Sequence, residues 1–426
     1  MTATCMTASC TGRLSSPGKW YAGTRRQASS DRDRPTSVRV LYVIEALGEG
    51  GTEMSLAELL PGLRTRGVDP IIVTLKSRGE EGVERHLRSD GFDIRVLAQA
   101  GLFGRVRQLR SIIQAVHPTV VHTMLYRADQ VGRLAAMGTG VPVLTSLVNV
   151  SYDRARLDDP GLSAARVRLA QVADAVTAHL GTDAFHAVSD HVKDHAVRTL
   201  HVRPERITVI PRGRSRERLG WPSADRRETA RVALGIADGA PVVVNVGRQE
   251  YQKGHTHLLN ALPHVLAKHP TCYTLIAGRE GTMTPALRGQ VERLGLADSV
   301  RFLGHLPSIA EVLAAGDVFV FPSLYEGMPG AVIEAMALGL PIVANDIGPV
   351  REIVNPHGNA DLVDASDPAS LAEAISDVLV DDQRRAAMAD CSLALFADRF
   401  GVDRAVELTF DLYTFAARHP AVSRDR

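Results

Sequence analysis

Apolar positions in this chain fall into two series of short runs that alternate with helical patterns. The first series begins at "VRVLYVI" (38–44), which ends in a glycine-rich turn and a helical pattern from about Thr52. "PIIVTL" (70–75), "DIRVL" (93–97), "TVVHT" (119–123), "VPVLTS" (141–146), "FHAVS" (185–189) and "RITVI" (206–210) follow, with helical periodicity between them, including a long helix around 162–180. Runs of this kind are strands buried on both faces, and their alternation with helices predicts a parallel sheet covered on both sides. The stretch "PRGRSRERLGWPSA" (211–224) breaks the rhythm with proline, glycine and clustered charge, and reads as an interdomain linker. A second series then runs through "PVVVNVG" (241–247), "CYTLIAG" (272–278), "SVRFLG" (299–304), "DVFVFPS" (317–323), "LPIVAND" (340–346) and "ADLVD" (360–364), before helices from about 368 to 418. The expected architecture is α/β, with two Rossmann-like, doubly wound domains over 37–212 and 225–395 facing across a cleft. The helices of 396–426 are expected to pack back towards the first domain. In such sheets ligands bind beyond the C-terminal ends of the strands.

Composition narrows the function classes. A hydrophobic fraction of 45% and a charged fraction of 23% over 426 residues suit a soluble globular protein of more than one domain. No run of about 18 apolar residues is present, so no spanning helix is expected. A net charge of +1 gives no electrostatic reason to expect nucleic-acid binding. Residues 1–36 hold six of the 49 basic side chains and two of the 48 acidic ones, with much Ser and Thr and no apolar period. They read as a disordered basic tail, for which a transit peptide and a mis-assigned start both remain open. Cys5, Cys10, Cys272 and Cys391 make no metal-ligand spacing and read as reduced thiols.

Several features fall at strand C-terminal ends. In "EALGEGGTEMS" (45–55), Gly50 and Gly51 allow backbone N–H groups to approach an anion at a helix start, but a plain tight turn fits as well. Glu53 stands where the dinucleotide fingerprint needs its third glycine. "VGRQEYQKG" (246–254) places Arg248 and Lys253 on one loop, suited to a diphosphate or to a solvated edge. "LYEGMPGAVIEAMALGLP" (324–341) sets Glu326 and Glu334 in an apolar, glycine-rich stretch with no Lys or Arg. Unpaired buried carboxylates cost several kcal/mol, so their partners come from elsewhere in the chain or from a ligand rich in hydroxyls. His191 and His195 stand four apart on a helix, without the Glu that a zinc protease motif requires. The single D-x-D, Asp31-Arg32-Asp33, lies in the tail, and neither a P-loop nor a Ser/His/Asp order is found.

Taken together, "GEGGTE", "VSDHVKD…ITVIPRG", "VGRQEYQKG" and "FPSLYEGMPGAVIEAMALGLPIVANDIGPVREIV", the last with Glu326 and Glu334 at E-x7-E spacing, resemble the retaining nucleotide-sugar glycosyltransferases of family 4. The resemblance implies the two-domain GT-B fold and a hexosyltransferase that uses a UDP-, GDP- or ADP-sugar as co-substrate, with no other cofactor and no metal. It implies that Arg248 and Lys253 hold the donor diphosphate, and that Glu326 contacts the donor sugar with the backbone of Gly327, Met328, Pro329 and Gly330 alongside. Glu334 takes the ribose hydroxyls, Gly50 and Gly51 approach the phosphates, and Leu303 and Gly304 lie in the base-contacting loop. Expected settings are polysaccharide, glycolipid or glycoside biosynthesis, in the cytoplasm, with at most peripheral attachment to the inner face of the plasma membrane.

Two departures stand out. The histidine that many members carry near the reacting sugar is absent from "TSLVNVSYD", where Asn149 is the candidate replacement. The usual "PNGVD" is here Pro211-Arg212-Gly213-Arg214-Ser215, whose two cations read as linker charges in preference to contacts with an anionic acceptor. The missing histidine keeps a catalytically silent nucleotide-sugar-binding subunit open as the alternative.

Overall fold

Runs apolar at most positions have two faces to bury, and here the central strands are buried in sheets layered between helices, while the edge strand Asp93–Val96 keeps its end residues exposed. The computed structural model describes residues 38–79, 82–159 and 161–418; the basic tail, with Cys5, Cys10 and the D-x-D, lies outside them. Strands β1 (Val38–Ile44), β2 (Val68–Thr74), β3 (Asp93–Val96), β4 (Val120–Met124), β5 (Val143–Leu147), β6 (Ala184–Ala187) and β7 (Ile207–Val209) form one sheet in the order β3-β2-β1-β4-β5-β6-β7. Strands β8 (Val242–Val246), β9 (Tyr273–Ala277), β10 (Val300–Gly304), β11 (Val318–Phe321), β12 (Ile342–Asn345) and β13 (Ala360–Val363) form the other, in the order β10-β9-β8-β11-β12-β13. Every pairing is parallel. Each strand overlaps one predicted run, and the fold is the expected pair of Rossmann-like sheets.

The order of each sheet reverses once, between β1 and β4 and between β8 and β11. Crevices for ligands open at these reversals, because the loops leaving adjacent strands diverge there. The glycine turn follows β1, the Arg248–Lys253 loop follows β8, and the glutamate stretch follows β11.

The last helix, Val402–Arg418, returns to the first sheet. Its Val406, Leu412 and Tyr413 join Leu56, Leu60 and Leu63 of the Gly51–Thr65 helix over Tyr42 and Ile44 of β1. Gly62 permits that approach, since a Cβ there would stand 2.8 Å from a methyl carbon of Val406. The preceding helix, Asp382–Arg399, stays with the second sheet and packs on the Gly330–Ala337 helix.

One expectation needs correction. The 211–224 segment is no free linker: Arg214 N–H donates to Phe400 O at 2.8 Å, Val402 N–H donates to Arg214 O at 3.1 Å, and Leu219 is buried. The charge cluster there has folded into the junction, with Arg214 and Arg218 on Glu334 and Glu58. The two halves also share apolar packing that runs from Phe185 and Val188 through Met328 to Val332 and Ile333.

His191 stands at this junction, while His195 bonds within the first half. Glu352 accepts from the backbone N–H groups of Asp190 (2.9 Å) and His191 (2.6 Å), capping the Asp190–Leu200 helix from the other half of the molecule. His191 lies against Gly348, where a Cβ would come within 2.3 Å of its Nδ1, and Tyr152 N–H donates to His195 Nε2 at 3.3 Å.

Candidate functional site

The loops after β8 and β11 are pressed together by a glycine. Gly254 has φ +62° and lies so near the other loop that a Cβ would stand 2.0 Å from Pro322 O. Leu324 N–H donates to Gln252 O, and Gln252 Nε2 donates to Tyr325 O, both at 2.8 Å. This zipper brings Lys253 Nζ to 2.5 Å from Glu326 Oε1, with Glu326 only 7% exposed.

Glu334 also finds partners within the chain. Its Oε1 accepts from Arg214 Nε at 2.8 Å and from Arg218 NH2 at 3.0 Å. Arg218 reaches on to Glu58 Oε1 at 2.7 Å, and Ser215 N–H donates to Glu58 Oε2 at 2.6 Å. Burial opposes the charge on Arg218, but Glu334 and Glu58 more than offset it and raise its pKa above the ordinary value. The two carboxylates therefore do not stand unpaired until a ligand arrives, and the cations are not reserved for a diphosphate. Lys253 answers Glu326, and the supposed linker charges answer Glu334. Each glutamate uses Oε1 this way, while its Oε2 has no hydrogen bond among the described residues.

Arg212 is drawn into the same network. It donates through NH1 to Gly51 O and to Ser55 Oγ (2.8 Å), at the first turn of the Gly51–Thr65 helix. Burial pushes its pKa down to about 10, against the attraction of Glu326, Glu53 and Glu334. Its backbone N–H meets Met328 Sδ at 3.2 Å. Glu53 folds back over Gly50, where a Cβ would stand 2.4 Å from its Oε2. Burial raises the Glu53 pKa, while Arg212, Arg248 and Arg279 pull the other way. Arg248 itself is exposed and has no ion pair among the described residues.

The remaining predicted residues line the same junction. Gly327 abuts the first half so closely that a Cβ would stand 2.1 Å from Val148 O and 2.9 Å from Asn149 Cα. Its carbonyl accepts from Ser189 Oγ at 2.9 Å. Asn149 turns its Oδ1 back to Val150 N–H at 2.8 Å. Pro329 precedes the first residue of the Gly330–Ala337 helix, and Gly330 leaves room for Arg214, whose NH2 would be 2.0 Å from a Cβ. Leu303 and Gly304 end β10; Gly304 has φ +66° and accepts from Gly278 N–H at 2.8 Å. One residue on, His305 Nε2 meets Glu49 Oε2 at 2.9 Å, linking the β10 loop to the glycine turn of the first half.

The structure thus brings all the predicted residues to the facing strand ends, and adds Glu53, Glu58, Arg212, Arg214, Arg218, Ser189 and Glu352. The spelling of 212–218, four arginines in seven residues, was the available signal for three of these. Chemically, two helix N-termini, an exposed guanidinium and backbone N–H groups favour a phosphate, while two half-used carboxylates favour hydroxyls.

Residues 49–218 match the family described as Glycosyltransferase Family 4, and residues 226–391 match that described as Glycosyl transferases group 1. A D-inositol 3-phosphate glycosyltransferase of Xylanimonas cellulosilytica is 31% identical over 314 residues, covering 71% of this chain and 73% of the relative. Among solved structures, Anabaena HepE in complex with UDP and glucose superposes with a TM-score of 0.77 at 22% identity, over 89% of this chain and all of that one. Sucrose-phosphate synthase from Thermosynechococcus elongatus does so with a TM-score of 0.77 at 21% identity and the same coverage.

Proposed function

The chain belongs to the family 4 glycosyltransferases, and on that premise we propose that it moves a hexosyl unit from a nucleoside diphosphate sugar to an acceptor hydroxyl with retention of anomeric configuration. The observation that carries this reading is the pair of buried glutamates, each tied to a cation through Oε1 and each with Oε2 left for a hydroxyl. A sugar and a ribose supply such hydroxyls at two points along one donor. Glu326 takes the transferred sugar, beside the backbone of Gly327 to Gly330, and Glu334 takes the ribose. Leu303 and Gly304 lie by the base.

The diphosphate between them is held by Arg248, by Lys253 and by the N–H groups at Gly50 and Gly51. These groups neutralise the leaving nucleotide without calling on a metal. The acceptor oxygen bonds to the anomeric carbon on the face that the diphosphate leaves, and a diphosphate oxygen takes the acceptor's proton as the glycosidic bond to phosphate breaks. Asn149 faces the sugar from the first half. Among UDP-, GDP- and ADP-sugars, the HepE complex with UDP favours the uridine donors. The acceptor belongs to oligosaccharides, lipid-linked sugars or small glycosides.

The test is nucleotide release from a panel of these donors by the unmodified chain and by Lys253→Ala and Glu326→Ala. Turnover unaltered in both variants would overturn the assignment. Donor binding by the unmodified chain with no transfer to any acceptor and no hydrolysis would instead assign the silent binding role.

A further inference from the structure

The helix Ala164–Gly181 is built inside out. Toward the protein it presents polar groups: Asp174 pairs with Arg133 at 2.6 Å and accepts from Tyr152 Oη at 2.8 Å. Thr177 Oγ1 accepts from Gln130 at 2.9 Å, and Gln171 donates to Thr199 O at 2.9 Å. Toward solvent it presents Leu169 (72% exposed), Val172 (61%), Val176 (50%) and Leu180 (51%), continued past its start by Leu162 (37%). An amphipathic helix normally turns its apolar stripe to the core, so this stripe is made for a surface outside the subunit. Among the described residues no other element exposes more than two large apolar side chains.

We propose that this face pairs with the same helix of a second copy of the chain, in an antiparallel pair about a two-fold axis. Two features of the stripe select that occupant. First, with Ala165 the helix carries it at 165, 169, 172, 176 and 180, the three-and-four spacing of a helix-pairing seam. Second, the seam reads nearly the same in both directions, as an isologous contact requires. Ala165 then meets Val176 of the partner subunit, and Leu169 meets Val172 of the partner subunit, the spacing 165, 169, 172, 176 being the same read from either end. A lipid surface would suit a broader apolar face, whereas this stripe is the narrow seam of helix pairing.

Sedimentation of the full chain between about 1 and about 100 µM tests this, that range being suited to a contact at the small end of specific interfaces. The expected result is a concentration-dependent dimer, and a Leu169→Glu/Val172→Glu chain that stays monomeric throughout with an unaltered melting temperature. In parallel, oxidation of a Leu169→Cys/Val172→Cys chain gives a covalent dimer beyond anything the unmodified chain yields, which decides the matter if the glutamate variant folds poorly. A monomer at every concentration, a dimer indifferent to the glutamates, or a monomer whose binding to anionic vesicles the glutamates abolish would each overturn the proposal.

Discussion

Arg214 Nε and Glu334 Oε1 meet at 2.8 Å in a setting that leaves the arginine 2% exposed, so each charge depends on the other. Glu58 lies 3.7 Å from the same guanidinium, and Ser55 Oγ accepts from its NH1 at 3.1 Å. Replacing Arg214 by Met removes one cation from between two buried carboxylates. Breaking a buried pair from one side costs about 3–5 kcal/mol, and the retained Arg218 places the expected loss near the lower figure. Urea denaturation measures it. Because Glu334 would lose the partner that holds its Oε1, donor affinity is expected to fall about tenfold in titration calorimetry, the size of one charge-assisted hydrogen bond.

Arg248 and Lys253 share a loop but not a situation, which separates their expected phenotypes. Arg248 is exposed and unpaired among the described residues, so Arg248→Ala should leave the melting temperature unchanged while raising the donor KM and lowering kcat. Lys253 holds Glu326 at 2.5 Å. Lys253→Ala should lower both the melting temperature and, by about 10²–10³-fold, kcat, since it removes a donor aimed at developing charge. Thermal melts and steady-state kinetics on the two variants check the split; equal losses of stability would contradict it.

The strands were legible because a run apolar at each position has few homes other than a covered parallel sheet. The two glutamates were legible because charge inside such a run needs an explanation. Their partners were not, because Arg214 and Arg218 lie 120 and 116 residues away from Glu334 in sequence, and Lys253 lies 73 from Glu326. Local pattern carries no trace of pairing at that distance. A proline- and glycine-punctuated run of arginines reads as a solvated linker until the fold shows that it crosses between Glu58 and Glu334. Glu58 was hidden for the complementary reason: on an amphipathic helix a carboxylate passes for solvent-facing.

The contact between the halves is narrow enough at Gly327 for one methyl group to matter. A Cβ 2.1 Å from Val148 O meets backbone, which cannot swing aside. Gly327→Ala is expected to separate the facing loops, seen as a larger scattering radius and a loss of donor affinity of at least tenfold. Ser189→Ala, which removes only the 2.9 Å bond to Gly327 O, should cost about 1 kcal/mol and leave the radius unchanged. If Gly327→Ala behaves like Ser189→Ala, the two loops are not in rigid contact.

A buried polar chain under the last helix makes stability sensitive to mild acid. It runs from Tyr413 Oη to His122 Nδ1 (2.7 Å), from His122 Nε2 to Ser146 Oγ (2.7 Å), from Ser146 Oγ to His186 Nδ1 (2.9 Å), and from His186 Nε2 to Ile210 O (3.0 Å). Ile210 O can only accept, so His186 carries its proton on Nε2 and accepts from Ser146. Ser146 accepts from His122 Nε2, and His122 accepts from Tyr413. Every link requires both rings to be neutral. Burial lowers the His122 pKa well below its usual value and, with Arg212 nearby, pushes that of His186 down to about 4. Unfolded histidine titrates near 6.5, so between about pH 4 and about 6.5 the unfolded chain binds more protons than the native one. Stability contributed by these rings is therefore complete above that window and is lost as pH falls through it. His195 and His255, also lowered to about 4 by burial, act in the same direction. The urea midpoint should fall steadily from pH 7 to pH 4.5, and the dependence should flatten in a His186→Gln chain. Tyr413→Phe, which cuts the chain at the helix it anchors, should lower stability by about 1 kcal/mol at pH 7 and speed amide exchange in Val402–Arg418. Asp129, pushed up to about 7 by burial, acts the other way in the same window, so the comparison between chains decides: an equal pH slope in the unmodified and His186→Gln chains would show that His186 does not titrate with unfolding.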